Sequence, residues 1–220
     1  MKNKNKYFVF VDVDDTLING ESQLIFIKYL FEKKKIGVFL LLYAIMFFIL
    51  YKFDLIKDIN IATAKALRFT KGWKVSDLDT LAKEAFEKKI KKLYNKDVLG
   101  EIEKHRKNGG EVIIVSASVY PIVKIIADHI DADHIIATKL LSKNGIYLGR
   151  LDGRVNHGKN KEKNIKKFIN DKKDKLKDSY AYGDHHSDYE MLAMVGNSIV
   201  VKPDKKLFKI AEKNNWRMIS

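Results

Sequence analysis

The chain has no cysteine. That absence excludes a disulfide framework, a thiol nucleophile and a Cys-ligated zinc site, and it fits a cytoplasmic, reducing setting. Proline is almost as scarce: there are two in 220 residues, and neither falls between positions 19 and 105. No low-complexity linker and no internal repeat is present. No secretory leader is expected, because the first apolar run is short, ends in acids and has no small-residue cleavage site. An apolar run long enough to cross a bilayer is lacking too. Residues 36–51 hold sixteen uncharged residues between Lys35 and Lys52. As a helix they would reach about 24 Å against a hydrocarbon core of about 30 Å. A buried, interfacial or partner-facing helix is therefore expected over a true span.

What is present bounds the class. Hydrophobic content of 46% with 32% charged residues is that of a globular protein able to bury a full core. The formal charge of +14 comes mainly from lysine. Its plainest reading is a Lys/Asn/Ile-rich composition. The functional alternatives are attraction to anionic substrates, lipid headgroups or nucleic acid. No basic motif interleaved with aromatics is found, so a nucleic-acid partner is not expected.

Near the start, Tyr7-Phe8-Val9-Phe10-Val11 has the β-branched and aromatic content of a buried strand, yet it runs into Asp12-Val13-Asp14-Asp15-Thr16. Carboxylates packed this closely repel one another and resist desolvation unless a cation or a proton holds them. That arrangement suits Mg²⁺ and phosphoryl chemistry. Asp15 is read as a solvated loop residue.

From position 106 onward, strand and helix alternate. Strands are expected at 111–116, 133–138, 179–182 and 198–201, and helices at 121–129, 161–170, 189–195 and 205–214. A hairpin is expected across 140–151, where Asn144-Gly145 is a strong turn signal. Such alternation predicts a parallel sheet with helices on both faces. Residues 19–105 carry no clear strand and contain long amphipathic stretches such as 75–93. They read as an all-helical insert. The expected architecture is an α/β core, 1–18 plus 106–220, carrying a helical domain over 19–105.

The polar residues of interest fall where predicted strands end or a helix begins: Asp12/Asp14, Ser116, Asp184/Asp188 and the group Lys159/Lys161/Lys163. In an open α/β sheet that edge binds ligands. Three carboxylates, a hydroxyl and an ammonium make a cation-plus-phosphate site, with Mg²⁺ on the carboxylates and phosphoryl oxygens on the hydroxyl and ammonium. His185 and His186 are read as a loop lining the pocket, His185 more than His186, and His157 as structural.

The order Asp-x-Asp-x-Thr, strand-Ser, Lys, Gly-Asp-x-x-x-Asp resembles the haloacid dehalogenase superfamily of phosphatases, and the helical insert after the first motif matches its C1 cap. More narrowly the chain is similar to subfamily IB, which includes phosphoserine phosphatase-like hydrolases. The text that carries this is His105-Arg106-Lys107-Asn108-Gly109, VSAS (115–118), IIATKL (135–140), Gly158-x-x-Lys161, AYGDHHSDYEML (181–192) and Val201-Lys202-Pro203-Asp204. The resemblance implies a Rossmann-like core and a Mg²⁺-dependent phosphatase acting on a small-molecule phosphate ester. Asp12 would be the nucleophile, forming an aspartyl-phosphate. Asp14 would be general acid and then base, and its backbone carbonyl would ligate the metal. Thr16 would support the loop. Ser116, with Ala117 beside it, would meet the phosphoryl group, and Lys161 would neutralise charge on it and on Asp12. Asp184 would ligate Mg²⁺, with Asp188 orienting a metal-bound water or the lysine. Glu162 departs from the family's usual apolar residue after that lysine.

Substrate is less legible. Glu21 stands where phosphoserine phosphatases place a glutamate that meets the substrate amine, although a glutamate at a helix start also complements the dipole. Those enzymes use a cap arginine as well, and Arg68 is the sole arginine of 19–105. Three readings follow: a phosphomonoester hydrolase of unassigned substrate, phosphoserine phosphatase proper, or a membrane-surface protein whose apolar helix and basic charge meet anionic lipid. A dimer seam on the apolar helix is a further alternative.

Overall fold

In the computed structural model, which describes residues 7–220, the expected strand at the start is β1 (Tyr7–Val11). It joins β2 (Gly110–Val119), β3 (His134–Thr138), β6 (Tyr180–Gly183), β7 (Asn197–Val201) and β8 (Arg217–Ile219) in one parallel sheet ordered β3-β2-β1-β6-β7-β8. β4 (Leu140–Lys143) and β5 (Ile146–Leu151) form a separate antiparallel hairpin. Its turn has positive φ at both Asn144 and Gly145, the backbone that Asn-Gly favours.

The period-two alternation of the central strands sorts the core onto two faces. Val9, Val11, Val112 and Ile114 face one side and share a cluster with Ile122, Val123 and Ile126. Those three belong to α6 (Tyr120–His129), which has a proline in its first turn. Phe8, Phe10, Ile113 and Val115 face the other side, against Ile165 and Ile169 of α7 (Lys159–Ile169), Leu192 of α8 (Tyr189–Leu192) and Leu207 of α9 (Lys205–Lys213). Helices on both faces and near-continuous apolar strands are the marks of a buried parallel sheet.

Between β1 and β2 the chain is helical: α1 (Ser22–Glu32), α2 (Val38–Lys52), α3 (Ile59–Ala66), α4 (Val75–Ala85) and α5 (Lys96–Lys107). Asp58 caps α3 and Asn95 caps α5, each accepting from two backbone N–H groups. α5 packs against β2 through Val98 and Ile102.

Two features depart from expectation, and a third bears on an alternative left open. The stretch 75–93 is broken after α4 by a π turn, Phe86–Ile90, and a 3-10 turn, Lys91–Leu93. The wider turn keeps both Phe86 and Ile90 fully buried. β8, with two exposed residues out of three, had no apolar pattern to announce it. The apolar helix α2 is not core: only Ala44 is buried. No helix among the described residues is long and apolar enough to cross a membrane.

Candidate active site

The site lies at the C-terminal ends of β1, β2 and β6, the middle strands of the sheet. The chain runs out to β3 on one side of β1 and returns to β6 on the other, so Asp12 and Asp184 follow neighbouring strands at the switch point. The N–H of Asp12 donates to the Tyr182 carbonyl at 3.0 Å, carrying the ladder one residue past β1. Asp15 then adopts φ 53°, a tight left-handed turn.

Lys161 is the centre of the cluster. Its Nζ donates to Asp12 Oδ1 and to Asp188 Oδ1, both at 2.6 Å, and it is 3% exposed. Lys159 and Lys163 point outward. The loop that delivers Lys161 is stitched to the sheet by Asn156, whose side-chain amide donates to the carbonyls of Ser116 and Ile136 at 3.0 and 2.9 Å. Gly158 starts α7 at φ 51° and ψ −129°, a backbone that side chains avoid, and this turns the helix toward the acids. Gly183 serves close approach: a Cβ there would sit 2.9 Å from the Asp188 side chain.

Oxygen atoms of Asp12, Asp184 and Asp188 lie within 4.8 Å of one another. Thr16 Oγ1 donates to Asp184 at 3.0 Å. Burial pushes the carboxyls of Asp12 and Asp184 well above the usual carboxylate range; the Lys161 ammonium opposes this at Asp12, and neighbouring acids add to it at both. Burial also pushes Lys161 down, but the two carboxylates beside it prevail and its pKa is raised. Asp14 is held apart from this group. It accepts from the Ser22 N–H at 2.5 Å and from Ser118 Oγ at 2.6 Å. Its pKa is raised by burial and drawn back by those hydrogen bonds.

Asp12, Asp14, Glu21, Ala117, Lys161, Asp184 and Asp188 thus line one pocket. Ser116 stands one step behind it. Ser116 is fully buried, and its hydroxyl accepts from the Ser118 N–H at 3.0 Å. Arg68 is not brought in; it lies exposed in the 3-10 turn Leu67–Thr70, beside β5. His185 lines the pocket and stacks on Tyr51, and the other side of Tyr51 meets His157, whose Nε2 is 3.2 Å from its hydroxyl. Burial, then the Lys161 charge, pushes His157 down to about 4. A partner for His186 comes from far away in sequence: Asp54, just after α2, lies 3.2 Å from it, and Asp204 lies 2.6 Å from its other ring nitrogen. Lys206 pairs with the same Asp54.

Sequence reasoning missed Ser118 and the α2 wall of Phe47, Phe48 and Tyr51. A register shift in the β2–β3 pairing between Ser116 and Val119 re-aims Ser118, so simple alternation did not single it out. Nothing in an unbroken apolar run marks which of its residues face a pocket.

Glu21 is pushed up to about 8, by burial first and then by Asp14 and Asp15, with Lys52 opposing. The folded state therefore holds this proton over a pH range where the unfolded chain has released it. Native stability is undiminished by Glu21 below the unfolded value near 4.5 and is eroded as pH rises toward 8. In Mg²⁺-free buffer, Glu21→Gln should leave Tm unchanged at pH 4.5 and raise it by a few degrees at pH 8, read by thermal denaturation at both values.

A family model described as haloacid dehalogenase-like hydrolase matches residues 9–193. The chain belongs to that family. Within these hydrolases it is 28% identical over 214 residues to a phosphoserine phosphatase of Mycobacterium tuberculosis, covering 95% of this chain and 69% of that one. It is 29% identical over 214 residues to a probable phosphatase of the same organism, covering 96% and 74%. Among solved structures, a protein of unknown function from Bordetella pertussis superposes with TM-score 0.85 at 21% identity, covering 97% of each chain. A substrate-bound phosphoserine phosphatase superposes with TM-score 0.70 at 18% identity, covering 100% of this chain and 94% of that one. These two share the fold of this chain over nearly its whole length.

Proposed function

We propose that this chain is a Mg²⁺-dependent phosphatase that hydrolyses a phosphate monoester through an aspartyl-phosphate on Asp12. The observation that carries the reading is the buried Lys161, shared at 2.6 Å between Asp12 and Asp188, with Asp14 held separately by Ser118. The division of labour in this reading is a core of residues 1–18 and 106–220 that does the chemistry, and a cap of 19–105 whose α5 anchors it to the sheet.

The donor set fits the metal. Three converging carboxylates, all oxygen donors, suit Mg²⁺. With one ammonium among them, the ionised group carries two excess negative charges, which one divalent cation balances. Asp12, Asp184 and Asp188, with the backbone carbonyl of Asp14, would hold the ion. When bound it supplies electrostatic stabilisation, letting a carboxylate approach a phosphate dianion.

The remaining steps belong to this chain's residues. An oxygen of Asp12 attacks phosphorus and forms the acyl phosphate as the bond to the leaving alkoxide breaks. Asp14, whose burial favours its protonated form, gives its proton to that oxygen. The Asp14 carboxylate then takes a proton from water, whose oxygen attacks phosphorus. The bond to Asp12 breaks, inorganic phosphate leaves and Asp14 is protonated again. Lys161 offsets charge on Asp12 and the phosphoryl oxygens throughout. Ser116, through the Ser118 N–H, sets the loop that with Ala117 would receive the phosphoryl group.

Ser118→Ala tests the proton shuttle. Loss of this hydrogen bond destabilises the Asp14 carboxylate, so the Asp14 pKa rises. The alkaline limb of the kcat profile should then move to higher pH, with kcat reduced by about 10-fold, of the order of one hydrogen bond to a charged group. An unmoved limb counts against Asp14 as the acid.

A second reading, phosphoserine phosphatase proper, is favoured by Glu21 in the pocket and by the name of the M. tuberculosis relative. The exposed position of Arg68 and the aromatic wall from α2 weigh against it. Competition decides: phosphoserine should inhibit hydrolysis of p-nitrophenyl phosphate far better than phosphothreonine or sugar phosphates, with the preference lost in Glu21→Ala.

A further inference from the structure

α2 is uncharged from Val38 to Tyr51, and it has two faces with different tasks. Its inner face supplies Phe47, Phe48 and Tyr51 to the catalytic pocket. Its outer face presents Phe39, Leu42, Met46, Ile49 and, just past its end, Phe53, a stripe with alternating spacings of three and four residues. Phe39 is 85% exposed and Phe53 70%. Ile61 of α3 extends the patch at 69% exposed. Water-facing apolar side chains in such concentration mark an interaction surface.

Three observations identify the occupant. The first is charge. Lys34, Lys35 and Lys57 are exposed at the two ends of the helix, on a chain of net charge +14. The acids nearest the face are engaged elsewhere: Asp54 pairs with Lys206 and His186, and Asp58 caps α3. The second is the lack of partner-selecting charges. A seam between two copies would bring these lysines together, and α2 has no acid in its first turn, while Asp54 just past its end is already held by Lys206 and His186. The third is length. Fifteen residues make about 22 Å of helix, enough to lie in a lipid interface and too little to cross one.

The patch also adjoins the catalytic pocket. A second cavity of about 350 Å³ lies between α2 and α3, lined by Tyr43, Leu50, Ile56, Ile61 and Phe47 among others. Phe47 lines both hollows, so the apolar recess at the exposed face abuts the catalytic pocket at that side chain.

We propose that the outer face of α2, with the start of α3, docks on an anionic lipid bilayer, and that the pocket beneath takes a phosphate monoester borne by an apolar chain in that bilayer. The substrate half rests on the phosphatase reading above; the docking half does not.

The test uses the full chain and the triple variant Phe39→Glu/Leu42→Glu/Ile49→Glu, with Phe39→Glu alone as a milder change. All three positions are exposed and outside the catalytic pocket, and circular dichroism should show an unchanged Tm. Co-sedimentation with vesicles of phosphatidylcholine containing about one-third phosphatidylglycerol should retain the wild type. Pure phosphatidylcholine should bind it at least about 10-fold less, as should the anionic vesicles in 0.5 M NaCl, where charge is screened within a few ångströms. The triple variant should lose at least about 10-fold in binding, and the single variant less. No binding of the wild type to the anionic vesicles overturns the docking. So does equal binding by the triple variant. A dimer that the triple variant dissolves, with no vesicle binding, assigns the face to a second copy instead. For the substrate half, kcat/KM on 1-acylglycerol 3-phosphate in these vesicles should exceed that on glycerol 3-phosphate by about 100-fold or more, and the triple variant should lose that excess while hydrolysing p-nitrophenyl phosphate normally. A ratio near one overturns the substrate class. Failure of the wild type to hydrolyse p-nitrophenyl phosphate with Mg²⁺ overturns the phosphatase reading, and the vesicle arm still decides the docking.

Discussion

Asp12→Asn should reduce hydrolysis of p-nitrophenyl phosphate by at least about 10³-fold, some 4 kcal/mol of barrier, without lowering Tm. The side chain is nearly isosteric, so the pocket keeps its shape. What goes is the nucleophilic oxygen. Stability should hold or improve, because in metal-free buffer Asp12 is a buried carboxyl whose ionisation is opposed by burial and by neighbouring acids. Lys161 keeps its other partner, Asp188. Magnesium should separate the two proteins further. An ion at free concentration c that binds only the folded state stabilises it by RT ln(1 + c/Kd), so Mg²⁺ should raise Tm in the wild type and less in the more weakly binding variant. Thermal denaturation with and without the metal, beside a steady-state assay, reads both effects. Activity within about 10-fold of wild type would remove Asp12 from the nucleophile's place.

Lys161→Ala should be costly for activity and stability alike. It leaves Asp12 and Asp188, 7% and 2% exposed, without the ammonium that holds them. Breaking a buried ion pair from one side costs about 3–5 kcal/mol, because the remaining charge stays buried. Here the loss should depend on pH in a defined direction. At pH 7 the orphaned carboxyls must ionise against burial or take up protons; near pH 4 the unfolded chain's carboxyls are themselves half protonated, and the penalty shrinks. The wild-type lysine works in the opposite sense. Its raised pKa gives stability that is fully present below the unfolded value of 10.5 and is lost only at higher pH. Urea denaturation of both proteins at pH 4.5 and pH 7 should show a gap that widens at the higher value. A constant gap would mean that Lys161 contributes through packing alone.

The acids of the candidate site were legible because chemistry and pattern disagreed: a strand that should end in a turn ended in Asp12 and Asp14. The family's Gly-x-x-Lys spacing favoured Lys161 and left Lys163 as the alternative, and the structure turns only Lys161 inward. The parallel sheet with helices on both faces followed from the alternation of strands and helices after residue 106. Other parts depended on contacts that no local pattern encodes. Ser118 owes its aim to a register shift, and Asp54 meets His186 across 132 positions of sequence, 186 minus 54. Arg68 illustrates the reverse: residue type and region suited a substrate contact, and the turn holding it carries it to the surface. The apolar helix was readable as a helix, but its periodicity could not tell which face meets protein.

The place of β1 in the sheet has a consequence for biosynthesis. Tyr7 pairs with Gly110, and Val9 pairs with Tyr180. At roughly 5–20 residues per second, the first partner leaves the ribosome many seconds after β1, and the second several seconds later still. For that interval Tyr7-Phe8-Val9-Phe10-Val11 is a bare apolar strand with both edges open, followed by acids that give it some solubility. The helices of residues 22–107 form from local contacts and can be in place before β2 arrives. A nascent chain stalled before residue 110 should therefore be a substrate for chaperones, and release past residue 183 should end that dependence.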